Sequence, residues 1–190
     1  MRIITGTAKG FRLKAPRGLD VRPTGDRVKE SVFNIINNHI EQADVLDLFA
    51  GTGNLGLEAL SRGAKGAVFV DSATTSLSVL KENALHTGLA ERSAFIKADA
   101  VKAIDRLFQD GRKFDLIFCD PPYNKGFVSA IIAKMEEKLI LKPGGILILE
   151  HSKHEPCNIS TIIIRMMRRE EYGETVMTFF TTDPDNVKCI

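Results

Sequence analysis

Val45-Leu46-Asp47-Leu48-Phe49-Ala50-Gly51-Thr52-Gly53-Asn54-Leu55-Gly56 is the stretch that decides the fold. An apolar run carrying one acid leads into three glycines, and a helix-length amphipathic stretch follows over roughly 54–62. A strand that turns through glycines into a helix brings backbone close to a ligand with no Cβ in the way. The helix start behind the turn adds amide donors. From 45–49 onward, short apolar runs recur at 67–70, 94–96, 114–119 and 146–149. Amphipathic stretches over about 74–87, 100–109 and 126–140 separate them. Unbroken apolar strands alternating with helices predict a parallel sheet covered on both faces. Two β-rich runs, 159–167 and 175–182, are joined through 170–173 and predict an antiparallel hairpin that closes the sheet. The expected architecture is α/β, a doubly wound, seven-stranded mixed sheet.

Ahead of this body, Arg2-Ile3-Ile4 and Phe11-Arg12-Leu13 flank Gly6 and Gly10 and read as a hairpin. Pro16 and Gly18 break the chain, and Arg22-Pro23-Thr24 leads into a helix that Thr24 or Asp26 could cap. Val28, Val32, Phe33, Ile35 and Ile36 give that helix an apolar stripe. The expected division is an N-terminal extension over 1–40, hairpin plus helix, and a main domain over 41–190. Residues 1–30 hold eight cationic and three anionic side chains, a net +5, so the remainder of this +2 chain carries −3. A basic arm on a mildly acidic body points to a bound polyanion; a solvated charged face is the plainer reading.

The 190 residues, 44% hydrophobic and 26% charged, suit one soluble globular domain with a small appendage. No signal segment and no membrane-length apolar run is visible, so a cytoplasmic protein is expected. Cys119, Cys157 and Cys189 show no CxxC spacing and read as reduced thiols. His151-Ser152-Lys153-His154 lacks a nearby third ligand and reads as a polar loop, so no metal is expected.

Gly51-x-Gly53-x-x-Gly56 matches the dinucleotide fingerprint, and Asp71, about 20 residues on, is where an acid would accept from ribose hydroxyls. Nicotinamide and adenosyl cofactors both fit these features. Asp47 favours a cofactor carrying positive charge, since a carboxylate there would repel a pyrophosphate. Asp99 ends the third run; for it and Asp47, a strand-end cap or turn residue is the structural alternative.

The fourth run ends in Asp120-Pro121-Pro122-Tyr123. Ligands of doubly wound sheets bind beyond the carboxyl ends of the strands, where strand order reverses. Strands one and four flank that point, so the glycine loop and the tetrapeptide should face each other. The residue types suit an exocyclic amino group, a poor nucleophile because its lone pair is delocalised into the ring. The Asp120 side chain and the Pro121 carbonyl can each accept one N–H, drawing the nitrogen toward tetrahedral geometry. Pro121 and Pro122 restrict the backbone and hold the acceptors in place. Tyr123 offers a flat face for an extruded base. Cys119 reads as a buried apolar residue.

With these residues the chain resembles the class I, Rossmann-like methyltransferases of the amino-group type. More closely, it is similar to the bacterial enzymes that methylate the N2 amino group of one guanine in small-subunit (16S) ribosomal RNA. Arg2-Ile3-Ile4-x-Gly6-x-x-Lys9-Gly10 and Arg22-Pro23-Thr24-x-x-Arg27-Val28-Lys29-Glu30-Ser31-Val32-Phe33-Asn34-Ile35 carry that likeness, and Leu141-Lys142-Pro143-Gly144-Gly145 is typical of the class. The resemblance implies S-adenosylmethionine, held by Asp47, Phe49, Gly51, Gly53, Asn54, Asp71, Asp99, Ala100 and Asp120, with Asp99 toward the adenine amino group. It implies an N-terminal extension gripping ribosomal RNA, free or in small-subunit particles, and Arg2, Lys9, Arg12, Arg22, Arg27 and Lys29 could contact phosphates. A monomer is the default expectation. Rival readings are a DNA adenine-N6 or cytosine-N4 methyltransferase, a non-catalytic RNA-binding assembly factor and a nicotinamide oxidoreductase. Glutamine methyltransferases of release factors carry Asn where this chain has Asp120.

Overall fold

In the computed structural model, which describes residues 1–15, 25–155 and 162–183, five strands run parallel because each returns through a helix. The elements in chain order are α1 (Asp26–Ile35), β1 (Asp44–Asp47), α2 (Gly56–Ser61), β2 (Gly66–Asp71), α3 (Thr74–His86), β3 (Ser93–Lys97), α4 (Ala100–Gln109), β4 (Phe114–Cys119), α5 (Phe127–Glu137), β5 (Leu141–Ser152), β6 (Arg165–Tyr172) and β7 (Thr175–Thr181). They form one seven-stranded sheet in the order β3-β2-β1-β4-β5-β7-β6. β1 to β5 are parallel; β7 runs antiparallel to both β5 and β6. This is the doubly wound, mixed, seven-stranded α/β sheet read from the sequence.

Successive side chains of a strand point to opposite faces, so strands covered on both sides need apolar residues throughout. Val45, Phe69, Leu116, Phe118 and Ile148 join one buried cluster with α1, α2 and α3. Leu46, Val68, Val70, Ile117 and Leu147 join the other with α4 and α5. In α4, Ala100, Ala103, Ile104 and Leu107 recur at helical spacing and are buried. Asp99 starts that helix, its Oδ1 accepting from the amides of Val101 (3.0 Å) and Lys102 (3.2 Å). At the amino-terminal ends of the central strands, the Lys142 ammonium sits 2.7 Å from both Asp44 Oδ2 and Asp115 Oδ2, tying β1, β4 and β5 together.

The N-terminal extension shares the first cluster: Ile3, Ala8, Leu13, Val32, Phe33 and Ile36 pack with α2 and the sheet. Its hairpin is reduced to one bridge, Arg2 with Arg12, flanked by Ile3 N–H to Phe11 carbonyl (3.0 Å) and Gly10 N–H to Ile3 carbonyl (2.9 Å). The ladder stops because the next amides have other partners. Those of Ile4 and Thr5 donate to the Glu58 carboxylate (2.7 and 3.0 Å), and that of Ala8 donates to Ser61 Oγ (2.9 Å). Gly6, with φ +88°, lies so close to α2 that a Cβ there would come 1.8 Å from the Ser61 carbonyl oxygen. Further along, Asn83 of α3 accepts the Lys14 amide (2.8 Å) and donates to the carbonyls of Lys14 (3.1 Å) and Thr52 (2.9 Å). α1 begins at Asp26 after Gly25 without a side-chain cap, and Thr24 lies outside the described residues.

Two boundaries differ from the sequence reading. β6 starts at Arg165 rather than 159, because the amides of Ile162, Ile163 and Ile164 are all taken by the Glu136 carboxylate; residues 156–161 are outside the described ones. β5 starts at Leu141 and runs through Pro143-Gly144-Gly145, with a register shift against β4 between Phe114 and Leu116 absorbing the irregularity. Of the cysteines, Cys119 is buried and free, while Cys157 and Cys189 lie outside the described residues. No described helix is long and apolar enough to cross a membrane.

Glu58 is the polar centre of this packing: fully buried, it pairs with Lys29 (3.2 Å) and Arg62 (2.8 Å) besides accepting the two amides. Glu58→Ala would strand a buried ammonium, and the expected loss is about 3–5 kcal/mol of unfolding free energy, measured by urea denaturation. Lys29→Met should cost less, because Arg62 and both amides still serve the carboxylate.

Candidate active site

β1 pairs with β2 on one side and β4 on the other, so strand order reverses between β1 and β4. A cavity of about 560 Å³ opens beyond the carboxyl ends of these strands, a volume typical of cofactor and substrate sites. The glycine loop forms one wall and Asp120-Pro121-Pro122-Tyr123 forms another. Five carboxyl groups line it, Asp47, Asp71, Asp99, Asp120 and Glu150; among the described lining residues there is no lysine, arginine or histidine.

The loop is held by its own acids. Asp47, buried, accepts the Gly56 amide at 3.0 Å, and Asp71 accepts the amides of Gly51 and Ala73, both at 2.8 Å. Burial pushes the Asp47 carboxyl up to about 7, against the pull of the Gly56 hydrogen bond and with the nearby Asp71 charge adding to the rise. Gly51 turns with φ +52° and lines the cavity. Gly56 lets α2 press on β2, since a Cβ there would come 2.3 Å from the Phe69 ring. Gly53, expected against the cofactor, is not among the described lining residues. Its missing Cβ instead makes room for Leu80 and Leu57, whose nearest atoms would lie 2.3 and 2.8 Å from it. Phe49, Asn54 and Ala100 all line the cavity, and Phe49 meets Phe127 edge to face with ring centroids 5.4 Å apart. Asp99, at the lip, both lines the cavity and caps α4, so the cap reading and the ligand reading coexist.

After β4, Pro121 is buried while Asp120 and Tyr123 are partly exposed in the cavity. Asn124 completes the turn with φ +57°, its amide donating to Glu155 (3.2 Å). The Tyr123 hydroxyl donates to Glu150 Oε1 at 2.6 Å and lies 3.0 Å from Thr175 Oγ1, which fixes the ring. Burial first, then the Glu150 hydrogen bond, pushes this phenol up, so it stays protonated. Burial and the charges of Asp120 and Asp47 push the Cys119 thiol well above its usual value, so it is no nucleophile at neutral pH.

The basic residues separate into two groups. Arg2, Lys9, Arg12 and Arg27 are exposed, with Arg2 Nε 3.0 Å from Asp26; Arg22 is outside the described residues. Lys29 is a correction: it is wholly buried and cannot meet a phosphate. Its ammonium donates to the Arg2 carbonyl (2.6 Å) and to Asn54 Oδ1 of the glycine loop (2.9 Å), beside Glu58. Burial lowers its pKa despite Glu58. His151 bonds to Ser152 and Thr178, and His154 to Glu174; among the described residues no group of three or more His, Cys, Asp or Glu is placed to hold a metal.

Sequence reasoning missed Met1, Phe127 and Glu150 as cavity residues. Glu150 had a usable signal, because it directly follows the apolar run 146–149 as Asp71 and Asp120 follow theirs, although β5 itself continues to Ser152.

The family model described as Conserved hypothetical protein 95 matches residues 1–181. YlbH of Bacillus subtilis is 36% identical over 95% of this chain and 98% of its own. The ribosomal RNA small subunit methyltransferase D of Haemophilus influenzae is 35% identical over 82% of this chain and 81% of its own. Among solved structures, yhhF from Escherichia coli superposes with a TM-score of 0.85 at 30% identity, covering 96% of this chain and 98% of that one. The SAM-dependent methyltransferase from Agrobacterium tumefaciens gives 0.61 at 26% identity, covering 76% of this chain and 50% of that one. The chain belongs to the family described as Conserved hypothetical protein 95 and, by its fold and relatives, to the class I S-adenosylmethionine-dependent methyltransferases.

Proposed function

We propose that this protein methylates the exocyclic N2 amino group of a guanine in small-subunit ribosomal RNA. The observation that carries the reading is the cavity wall: five carboxyl groups and, among its described residues, no lysine, arginine or histidine side chain. Such a wall suits a cationic cofactor and a substrate that donates hydrogen bonds, and it disfavours a pyrophosphate. The names of the relatives support ribosomal RNA as the substrate class. When bound, S-adenosylmethionine supplies an electrophilic methyl group on a positively charged sulfur. Asp47, Asp71 and Asp99, with the Gly51 turn and Phe49, are the residues that would hold it.

The chain's own residues prepare the nitrogen. The Asp120 carboxylate and the Pro121 carbonyl each accept one N–H, localising the lone pair on nitrogen. As the N–C bond would form and the methyl–sulfur bond break, with its electron pair returning to sulfur, the amino group would lose one proton to the Asp120 carboxylate. Tyr123, its hydroxyl tethered by Glu150 and Thr175, presents a fixed ring for the base to stack on. Holding these groups ready lowers the entropic part of the barrier. Arg2, Lys9, Arg12 and Arg27 supply phosphate contacts, which position RNA without reading its sequence. Arg22 is included in that proposal on sequence alone.

The test is transfer of labelled methyl groups to unmethylated small-subunit rRNA, naked and in particles, followed by nucleoside identification. N2-methylguanosine is the expected product; N6-methyladenosine or N4-methylcytosine would overturn the choice of base. Asp120→Ala should lower kcat by about 100-fold or more while leaving cofactor binding nearly intact. Asp47 adds a pH signature. Its folded-state carboxyl is raised to about 7, so the unliganded protein holds a proton there that a cationic ligand displaces. Cofactor affinity should then weaken by about tenfold between pH 8 and pH 6, and Asp47→Asn should flatten that slope in calorimetric titrations.

A further inference from the structure

Asp120 and Glu150 stand side by side. Cys119 pairs with Leu149 across the parallel β4–β5 register, so Asp120, just past the end of β4, and Glu150, still within β5 and paired with Met177 of β7, lie at the same level. Both line the cavity. Neighbouring strands are about 4.8 Å apart, close enough for two side chains to converge on adjacent atoms of one ring edge. β5 lies on the side of β4 away from β1, β2 and β3, whose ends carry Asp47, Asp71 and Asp99. Glu150 therefore belongs to the substrate side of the cavity.

We propose that Glu150 selects guanine, by accepting the hydrogen of the ring nitrogen beside the reacting amino group; this rests on the reading of the site as a guanine amino methyltransferase. Guanine presents N1–H next to its 2-amino group, a donor beside a donor. Adenine presents the N1 lone pair beside its 6-amino group, and cytosine presents the N3 lone pair beside its 4-amino group. A second acceptor next to Asp120 attracts the first pattern and repels the other two, so it discriminates by repulsion as well as attraction. Glu150 is only 5% exposed, which strengthens both effects. Its Oε1 already accepts the Tyr123 hydroxyl at 2.6 Å. A carboxyl group has two oxygens, and that bond anchors Glu150 through Oε1. The same contact sets Glu150 against the edge of the ring on which the base stacks, where the polar edge of a stacked base would lie.

The test uses 2-aminopurine, which keeps the 2-amino group and replaces N1–H with a lone pair. Synthetic small-subunit rRNA fragments carry guanine or 2-aminopurine at the mapped position, assembled into particles if naked RNA is inactive. The wild-type protein should prefer guanine in kcat/KM by on the order of 10- to 100-fold. Glu150→Gln, whose amide can turn to present either an acceptor or a donor, should bring the two substrates to similar kcat/KM. Tyr123→Phe, which removes the hydroxyl but leaves the carboxylate, should lower the rate and retain the preference for guanine. A wild-type protein that methylates both bases alike overturns the assignment, even if Glu150→Gln fails to fold. A folded Glu150→Gln protein that keeps the full wild-type preference also overturns it. If Tyr123→Phe loses the preference as fully as Glu150→Gln, Glu150 acts through the tyrosine and the assignment is wrong. A wild-type product with its methyl group elsewhere than on a guanine amino nitrogen defeats the underlying reading, which separates that failure from the others.

Discussion

A carboxylate with no exposed surface, Glu58, holds the N-terminal segment, α1 and α2 together. A buried charge is tolerated only when partners surround it. Here the partners come from three places: the amides of Ile4 and Thr5, the ammonium of Lys29 and the guanidinium of Arg62. Lys29 in turn reaches Asn54, so the same cluster braces the glycine loop from behind. The loop's shape, the seat of the N-terminal segment and the packing of α1 over the sheet are consequences of satisfying one acid.

The parallel body was legible in the sequence because its signals are local. The run 114–119 is uniformly apolar apart from Asp115, and β4 occupies those same residues. The four acids found at strand ends all line the cavity, since the crevice rule depends only on where strands stop. The misreadings have a common cause in distant partners. Lys29 looks like one more surface cation until Glu58, far along the chain, is seen to bury it. The start of β6 moved because the amides of residues 162–164 found Glu136 on a helix. The N-terminal hairpin shrank because Glu58 and Ser61 took its amides. In the last two cases an acid or hydroxyl from elsewhere in the chain competed with a β-ladder and won, which hydrophobic periodicity cannot report.

The glycine motif shows the same division. Its three glycines look equivalent as a pattern, yet they do different work. Gly51 turns the backbone at the cavity, Gly53 yields space to Leu57 and Leu80, and Gly56 brings a helix against Phe69. The motif fixes the strand–turn–helix geometry; the row of acids beyond it distinguishes the class of ligand.

β6, at one margin of the sheet, carries Arg168 paired with Glu170 and Arg169 paired with Glu171. Alternation along a strand puts one such couple on each face, and the register against β7 slips between Met166 and Arg168. A strand from a second molecule approaching this margin would have to dehydrate four charged groups and accommodate a bulge. The sheet thus carries its own terminus, and joining two molecules edge to edge along β6 is disfavoured by the chain's own side chains.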